Sequence, residues 1–322
     1  MAGLKIGVVM DPIEKINTNT DTTFVMMLEA ERRGHELYYM QQDDLAIRGG
    51  APEGRYKKVS VARATPHYKI TGDGGGALSD FDAILMRKDP PFDAKYFYTT
   101  HLLSLVDPKR CVVINDPHGL REATEKLYAL RFPKVIPPSL VTSDMALLKK
   151  FMEEQGGEMI VKPLEGAGGR GVLYLNRKDR NVGAVLEMVT VEGTMPVMAQ
   201  RYLPEIRQGD KRVLVLDGEA IGALLRIPKE NDNRANLHVG GSSARGEVTE
   251  RDREICRALA SDFKKLGLYF VGLDVIGGYL TEVNVTSPTC VQEIDAFDGV
   301  KLEAKIVDFI EKKAAARGKA SP

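Results

Sequence analysis

The sequence predicts an α/β protein that opens as a doubly wound, mostly parallel sheet and continues into a second unit built around a glycine-rich loop between two strands. Three observations carry this. Leu4–Met10 is a compact apolar run that stops at Asp11-Pro12, as a buried parallel strand does. Thr22–Arg33 then has helical spacing, Gly34 suits the position after a helix end, and Glu36–Met40 reads as the next strand. Strand, helix, strand is an α/β opening. Further on, Met159–Lys162 and Val172–Asn176 are strand-like and flank the glycines of residues 166–171.

The remaining elements follow in order. Phe81–Met86 is a strand running into Arg87-Lys88-Asp89-Pro90-Pro91, and Cys111–Ile114 is another, followed by Asn115-Asp116-Pro117. Residues 49–79 are polar and contain Gly72-Asp73-Gly74-Gly75-Gly76, which predicts irregular insertions at the sheet edge. After about residue 121 the rhythm changes. Glu122–Leu130 is helical, Pro137-Pro138 breaks the chain, and Ser143–Glu154 is a helix with Ser143 or Asp144 as cap. Pro196–Leu203 reads as a strand leading out of this unit. Strands follow at Lys211–Leu216 and Ala220–Ile227, then a helix at Glu250–Leu266. Two more strands, Phe270–Ile276 and Tyr279–Val285, and a last helix at Val300–Ala316 complete the chain before a frayed tail.

Composition narrows the function classes. The 322 residues are 43% hydrophobic and 28% charged, ordinary for a globular chain of two or three domains. Lys plus Arg and Asp plus Glu are both 45, which argues against a dedicated nucleic-acid binder. No apolar run approaches the ~18–20 residues of a membrane span, and the N-terminus reads as a strand rather than a signal peptide. Three scattered cysteines (Cys111, Cys256 and Cys290) make no disulfide framework and point to a reducing, cytoplasmic setting. His35, His67, His101, His118 and His238 have no partner at zinc-ligand spacing, so they read as structural or surface residues.

Four features can carry chemistry. Gly166-x-Gly168-x-x-Gly171 formally matches a dinucleotide fingerprint, but such a loop opens a helix and this one opens Val172-Leu173-Tyr174-Leu175. Strand, glycine loop, strand is instead the geometry of a flap over phosphates, with Lys162 placed to reach them. Glu282 and Asn284 are two apart and share a strand face, and Asp274 lies on the preceding strand across Gly277-Gly278. A strict two-residue turn would pair Asp274 with Thr281; a three-residue loop or a bulge would pair it with Glu282 and converge three oxygen ligands suited to Mg²⁺. Arg87, Lys126, Arg201, Lys211, Arg212 and Arg226 form a basic set suited to an anionic substrate and a transferring phosphate. Residues 227–241, polar and ending in Gly240-Gly241, read equally as a lid or an inert surface loop.

Taken together, the chain resembles the prokaryotic-type glutathione synthetases of the ATP-grasp superfamily. The resemblance is carried by Met86-Arg87-Lys88-Asp89-Pro90-Pro91-Phe92-Asp93, Glu125-Lys126-Leu127 and Val161-Lys162-Pro163-Leu164. It continues through Gly209-Asp210-Lys211-Arg212, Val271-Gly272-Leu273-Asp274 and Thr281-Glu282-Val283-Asn284-Val285-Thr286-Ser287-Pro288-Thr289. It implies an ATP-grasp fold in three parts: an N-terminal doubly wound α/β domain over 1–122, a lid over 123–202 and a C-terminal ATP-grasp domain over 203–316, with a tail at 317–322. It further implies that Lys126, Lys162, Glu165, Gly166, Gly168, Gly169, Arg170, Gly171, Gln200, Arg201, Tyr202, Leu203 and Asp210 bind ATP. Asp274, Glu282 and Asn284 would hold Mg²⁺, two ions with the nucleotide, with Mn²⁺ as a substitute. Arg212 and Arg226 would be catalytic. Asp11, Arg87, Arg226, Gly240, Gly241, Ser287, Pro288 and Thr289 would hold substrate.

The implied reaction joins γ-glutamylcysteine to glycine at the expense of ATP through an acyl phosphate, in a cytoplasmic homotetramer with no nucleic-acid or membrane partner. The 227–241 loop, with Glu230, Asp232 and His238, is poorer in glycine than the family pattern. Two other readings compete. Another carboxylate–amine ligase would share the nucleotide residues and differ in the acceptor pocket. A nucleotide-binding regulatory protein would have lost catalytic residues, whereas Lys162, Arg212, Asp274, Glu282 and Asn284 are all present. A fold alone does not choose among them.

Overall fold

The computed structural model describes residues 3–166, 168–230, 234–235 and 240–317. In chain order the elements are β1 (Lys5–Val9), α1 (Thr22–Arg32), β2 (Glu36–Met40), β3 (Leu45–Arg48), β4 (Ala51–Val61), β5 (Tyr68–Ala77), β6 (Ala83–Met86), α2 (Ala94–Leu103), β7 (Val112–Ile114) and α3 (Pro117–Glu122). Then come β8 (Ser139–Thr142), α4 (Met145–Glu154), β9 (Glu158–Pro163), β10 (Leu173–Asn176), α5 (Val182–Val189) and β11 (Val197–Arg201). The last part holds β12 (Asp210–Leu216), β13 (Glu219–Ile227), β14 (Ser242–Gly246), α6 (Glu250–Leu266), β15 (Phe270–Ile276), β16 (Tyr279–Asn284), α7 (Val291–Asp298) and α8 (Leu302–Ala316).

They build three sheets. The first runs β3-β4-β2-β1-β6-β7 with β5 on β4; β2, β1, β6 and β7 are parallel. The second is antiparallel, β10-β9-β11-β8, and the third is antiparallel, β14-β13-β12-β15-β16. The cores show what is welded and what is not. Two large apolar clusters each mix residues of the first and third sheets: Ile84 and Met86 with Val213 and Leu273 in one, Ile6 and Leu85 with Leu214 and Phe270 in the other. The second sheet has its own core, in which Leu148 and Phe151 of α4 and Leu186 of α5 cover Met159, Val161 and Val197.

Local chemistry explains the helix ends. Asp21, Asp93 and Asp144 each accept a hydrogen bond from the first turn of the helix they precede, and α6 carries a capping box between Thr249 and Asp252. Gly34 and Gly267 close α1 and α6 in the left-handed region. All three cysteines are buried free thiols.

Two expectations need correction. Residues 49–79 are a regular antiparallel extension of the first sheet rather than irregular insertions. Leu37 pairs with Val59, and β4 and β5 run paired from Glu53↔Ala77 to Val61↔Tyr68. Val59 and Val61 face the core and leave the polar positions between them outside. The helix expected over Glu122–Leu130 is instead α3, which starts at Pro117 and ends at Glu122, followed by a separate short turn at Tyr128–Arg131. Asp116 caps α3. The stretch between is pulled out of helix by tertiary pairing, because the Val283 N–H donates to the Glu125 carbonyl at 3.0 Å. Strands β8 and β14 and helices α2, α5 and α7 lie outside the expected elements.

Candidate active site

The second and third sheets border an open cleft of about 720 Å³, open solvent included. Lys162 and Ile160 reach it from one face of β9, and Asp274 and Ile276 from one face of β15, as the strand repeat of two dictates. Gly169, Val172, Gln200, Arg201, Tyr202, Leu203, Ile206, Asp210, Thr281 and Glu282 complete most of the wall. Its wall brings together charged Lys162, Asp210, Asp274 and Glu282 and apolar Ile160, Val172, Leu203, Ile206 and Ile276, a lining suited to a nucleotide's phosphates and base.

The glycine loop spans from β9 to β10. Gly166, Gly168, Gly169 and Gly171 all have positive φ (+94°, +68°, +78° and +71°), which side chains other than glycine rarely adopt. A Cβ at Gly171 would also meet the Pro163 ring at 2.8 Å. Glu165 and Arg170 are exposed on the loop. Ala167 lies outside the described residues. Lys126, itself buried, donates from Nζ to the Gly166 carbonyl at 2.7 Å and so ties the start of the second unit to the loop.

Lys162 is 4% exposed; its Nζ lies 3.3 Å from the Thr281 carbonyl and 3.8 Å from Glu282 Oε1. Burial lowers its pKa, Glu282 opposes that, and the nearby Lys126 charge adds to it. At the segment leaving the second sheet, Gln200 Nε2 donates to Ser139 Oγ at 2.9 Å, the Arg201 guanidinium lies 5.1 Å from the Tyr279 ring centre, and Tyr202 packs on Tyr174 at 4.7 Å.

The third sheet concentrates the charges. On β12, Asp210 pairs across to Arg226 of β13, and Arg212 pairs across to Asp274 of β15. Asp274 in turn stands opposite Glu282, because a register shift follows Asp274 and leaves Val275 opposite Leu280. The bulge is at Thr281, whose hydroxyl donates to the Asp274 carbonyl at 3.1 Å. Arg212 donates Nε to Asp274 Oδ1 at 2.6 Å and Nη2 to Oδ2 at 3.1 Å, and Arg226 Nη2 lies 2.9 Å from Oδ2. Arg226 also bonds Asp210. A Cβ at Gly272 would come within 3.0 Å of Arg212 Cδ, so glycine is what lets Arg212 cross the sheet.

Burial alone would raise the Asp274 pKa, but the two guanidiniums more than offset it and hold the carboxyl far below the usual range. Asp210 goes the other way: burial raises it and Asp274 adds, with Arg226 offsetting part. Asp210 Oδ1 and Arg226 Nε are buried without a hydrogen-bond partner among the described residues. Glu125, beside this cluster, has its pKa raised to about 7 by burial and then by the Glu282 charge.

The donor set fits a hard divalent cation. Asn284 Nδ2 is turned to the Gly272 carbonyl at 3.3 Å, which leaves its amide oxygen for a cation. Glu282 is partly exposed, with Lys162 as its ion-pair partner. Asp274 would share its oxygens with Arg212 and Arg226.

Of the expected substrate residues, Arg226 belongs to this cluster and the others sit elsewhere. Asp11 binds Lys88 at 3.0 Å and accepts from the Asp89 N–H at 2.9 Å. Arg87 donates to Thr23 Oγ1 and to the Pro288 carbonyl, within the turn formed by Ser287, Pro288 and Thr289. Gly240 has φ +90°, and Gly241 is too close to the Ala235 carbonyl to carry a Cβ. Asp232 and His238 of the expected lid loop lie outside the described residues, as do residues 318–322 of the tail. Ile160, Val172, Ile206, Ile276 and Glu125 were missed; Ile160 and Ile276 were findable, each two residues from a chosen polar position on its strand.

Comparison with known proteins agrees over nearly the whole chain. Residues 4–121 match the family model described as the prokaryotic glutathione synthetase N-terminal domain, and residues 125–299 match its ATP-grasp domain. Glutathione synthetase of Brucella melitensis is 44% identical over 309 residues, covering 96% of this chain and 98% of the relative. Those of Escherichia coli O6:H1 and Synechocystis sp. are 44% and 42% identical, each over 96% of this chain. Among solved structures, the D-cycloserine synthetase DcsG superposes with a TM-score of 0.66 at 16% identity, covering 96% of this chain and 99% of that one. The ATP-grasp ligase PsnB, complexed with minimal precursor, Mg and ADP, superposes at 0.63 with 18% identity, covering 96% and 98%. At such identities these two report the fold. No helix among the described residues is long and apolar enough to cross a membrane.

Proposed function

The chain belongs to the prokaryotic glutathione synthetase family, and on that premise we propose how its residues divide the reaction. Its activity is ATP-dependent synthesis of glutathione, a ligation of γ-glutamylcysteine and glycine. The observation that carries the assignment of roles is the convergence of Lys162, Asp274 and Glu282 on one cleft, with Arg212 and Arg226 gripping Asp274 behind it.

The adenine enters against the apolar residues Ile160, Leu203 and Ile206 and along Gln200, Arg201 and Tyr202, while Asp210 faces the sugar side. The glycine loop, including Glu165 and Arg170, closes its backbone N–H groups on the phosphates, and Lys126 and Lys162 neutralise them as point charges. Lys126 links the loop to the floor through Gly166. Glu282, Asn284 and Asp274 would hold Mg²⁺, two ions with the nucleotide, or Mn²⁺ in its place. A cation bound there supplies charge neutralisation to the phosphates and orients them.

The cysteinyl carboxylate oxygen attacks the γ-phosphorus in line, the bond to ADP breaks, and an acyl phosphate forms. The amine of glycine, having lost its proton, attacks the acyl carbon, and inorganic phosphate leaves. Arg212 stabilises the transferring phosphoryl group, and Arg226 the oxyanion of the tetrahedral intermediate. The Ser287–Pro288–Thr289 turn and Gly240-Gly241 flank the dipeptide, with Asp11 and Arg87 behind that turn. Excluding water protects the acyl phosphate from hydrolysis, and the separate core of the second sheet suits a part that closes for that purpose. The same reading takes 1–122, 123–202 and 203–316 as the three domains of a cytoplasmic homotetramer.

The test is ADP release from the purified protein with ATP, Mg²⁺ and γ-glutamylcysteine, with and without glycine, alongside mass detection of the peptide. Glycine-dependent ADP matched one-to-one by tripeptide is the expected result. ADP without a peptide bond would sink the acyl-transfer assignment.

A further inference from the structure

Arg87 stands at the carboxyl end of β6, in the first sheet, far along the chain from the charged cluster on the third. It is 5% exposed. Its Nε donates to Thr23 Oγ1 at 3.0 Å, its Nη2 donates to the Pro288 carbonyl at 2.8 Å, and its guanidinium lies 5.6 Å from the Phe270 ring centre. No carboxylate among the described residues lies within ion-pair distance of it. Burial costs this guanidinium; the Asp89 and Asp21 charges offset part of that from beyond ion-pair reach, and its hydrogen bonds among the described residues go only to a hydroxyl and a carbonyl. Nε is taken up by Thr23, and Nη2 holds one backbone carbonyl, that of Pro288.

A neighbouring strand end does the same. Asn115, just past β7, donates from Nδ2 to the Val285 and Phe270 carbonyls and accepts at Oδ1 from the Tyr269 and Phe270 N–H groups, all at 2.8 Å. Two side chains from adjacent parallel strands therefore grip the chain at 285 and at 288, directly after Asn284.

We propose that Arg87 is a positioning residue rather than a substrate ligand: it fixes the Ser287–Pro288–Thr289 turn against the Glu282–Asn284 strand, and so governs dipeptide binding from across the domain boundary. This rests on the reading that the turn borders the dipeptide. Thr23, buried at 3% exposure on α1, is the second half of the device, because its hydroxyl orients the guanidinium.

The experiment uses the full chain and three variants, Arg87→Met, Arg87→Lys and Thr23→Val. Steady-state kinetics give KM for ATP, γ-glutamylcysteine and glycine, and hydrogen–deuterium exchange follows the amides of residues 287–292. Arg87→Met is expected to raise KM for γ-glutamylcysteine at least tenfold, leave KM for ATP within twofold and speed exchange at the turn. Arg87→Lys, which can still donate to Pro288, recovers part of both effects. Thr23→Val, which removes one hydroxyl and keeps the shape, moves both in the same direction by a smaller factor and decides the matter if Arg87→Met fails to fold. A raised dipeptide KM with unchanged exchange would mean direct contact with substrate and overturn the proposal. So would an equal rise in KM for ATP. Wild-type protein that makes no glutathione would instead sink the functional reading, while the exchange comparison would still test the strut.

Discussion

Arg212 and Asp274 face each other on adjacent antiparallel strands and meet through two hydrogen bonds, 2.6 Å and 3.1 Å long, with both side chains under a tenth exposed. A cation expected beside the phosphate and a carboxylate expected to hold metal are therefore each other's principal partner. The pair is flanked by Arg226, so Asp274 carries two guanidiniums.

Removing Arg212 leaves that carboxylate buried with half its support. Arg212→Met should lower turnover at least a hundredfold and cost about 3 kcal/mol of stability in urea titration. Arg212→Lys should recover more stability than turnover, because an ammonium cannot make the bidentate contact. Equal recovery of both would separate Arg212 from catalysis.

Glu282 is partly exposed and its nearest described cation is 3.8 Å away, so little of the fold depends on it. Glu282→Ala should abolish Mg²⁺-dependent turnover while the unfolding free energy from urea titration changes by less than about 1 kcal/mol. Calorimetric titration of Mg²⁺ in the presence of a non-hydrolysable ATP analogue checks the cause. Surviving turnover would remove Glu282 from the metal assignment.

Glu125 makes stability fall with rising pH. Its folded-state pKa of about 7 lies above the ordinary 4.5, so the folded protein binds the proton more tightly than the unfolded chain does. The protonated group's contribution is fully present below about 4.5 and lost as pH rises through about 7. Glu125→Gln removes this slope. Relative to wild type it should gain up to about 3 kcal/mol between pH 4.5 and pH 8 in metal-free urea titrations. A gain in the opposite direction would show that the carboxylate is stabilised, not penalised, by its neighbours.

Gly171→Ala combines a φ of +71° with a 2.8 Å approach to the Pro163 ring. The strain is about 1–3 kcal/mol, which appears either as a loop held out of position or as lost stability. KM for ATP should rise roughly tenfold if it is the former. An unchanged KM with a lowered melting temperature would mean that the loop's shape is not used in nucleotide binding.

The sequence was most legible where burial enforces a period. Leu4–Met10 and Glu36–Met40 announce themselves because both faces of a parallel strand are apolar, and α6 because its cap and amphipathic face agree. Alternation put Glu282 and Asn284 on one face, but it left two registers open for Asp274; the bulge at Thr281 decided between them, and a bulge leaves no mark in composition. The edge hairpin of β4 and β5 was hidden for the opposite reason. An exposed edge needs few apolar residues, and Gly72–Gly76 looks like a loop when read alone. The break between α3 and the turn at Tyr128 is a long-range hydrogen bond to Val283, which no local window contains. Arg87 and Asn115 were visible as residues after strand ends, yet their carbonyl partners lie about 150–200 residues away.

The three buried cysteines have a chemical consequence for an enzyme whose substrate and product are both thiols. Burial pushes the Cys111 thiol up to about 12 and Cys256 to about 11, and it raises Cys290 as well, against the pull of Arg212 and Arg226. Exchange with a disulfide requires the thiolate and an open path to it. Neither is on offer at any of these positions at neutral pH, so oxidised product accumulating around the protein meets no sulfur with which to form a mixed disulfide. The catalyst can work in a pool of its own redox-active product without becoming part of that pool.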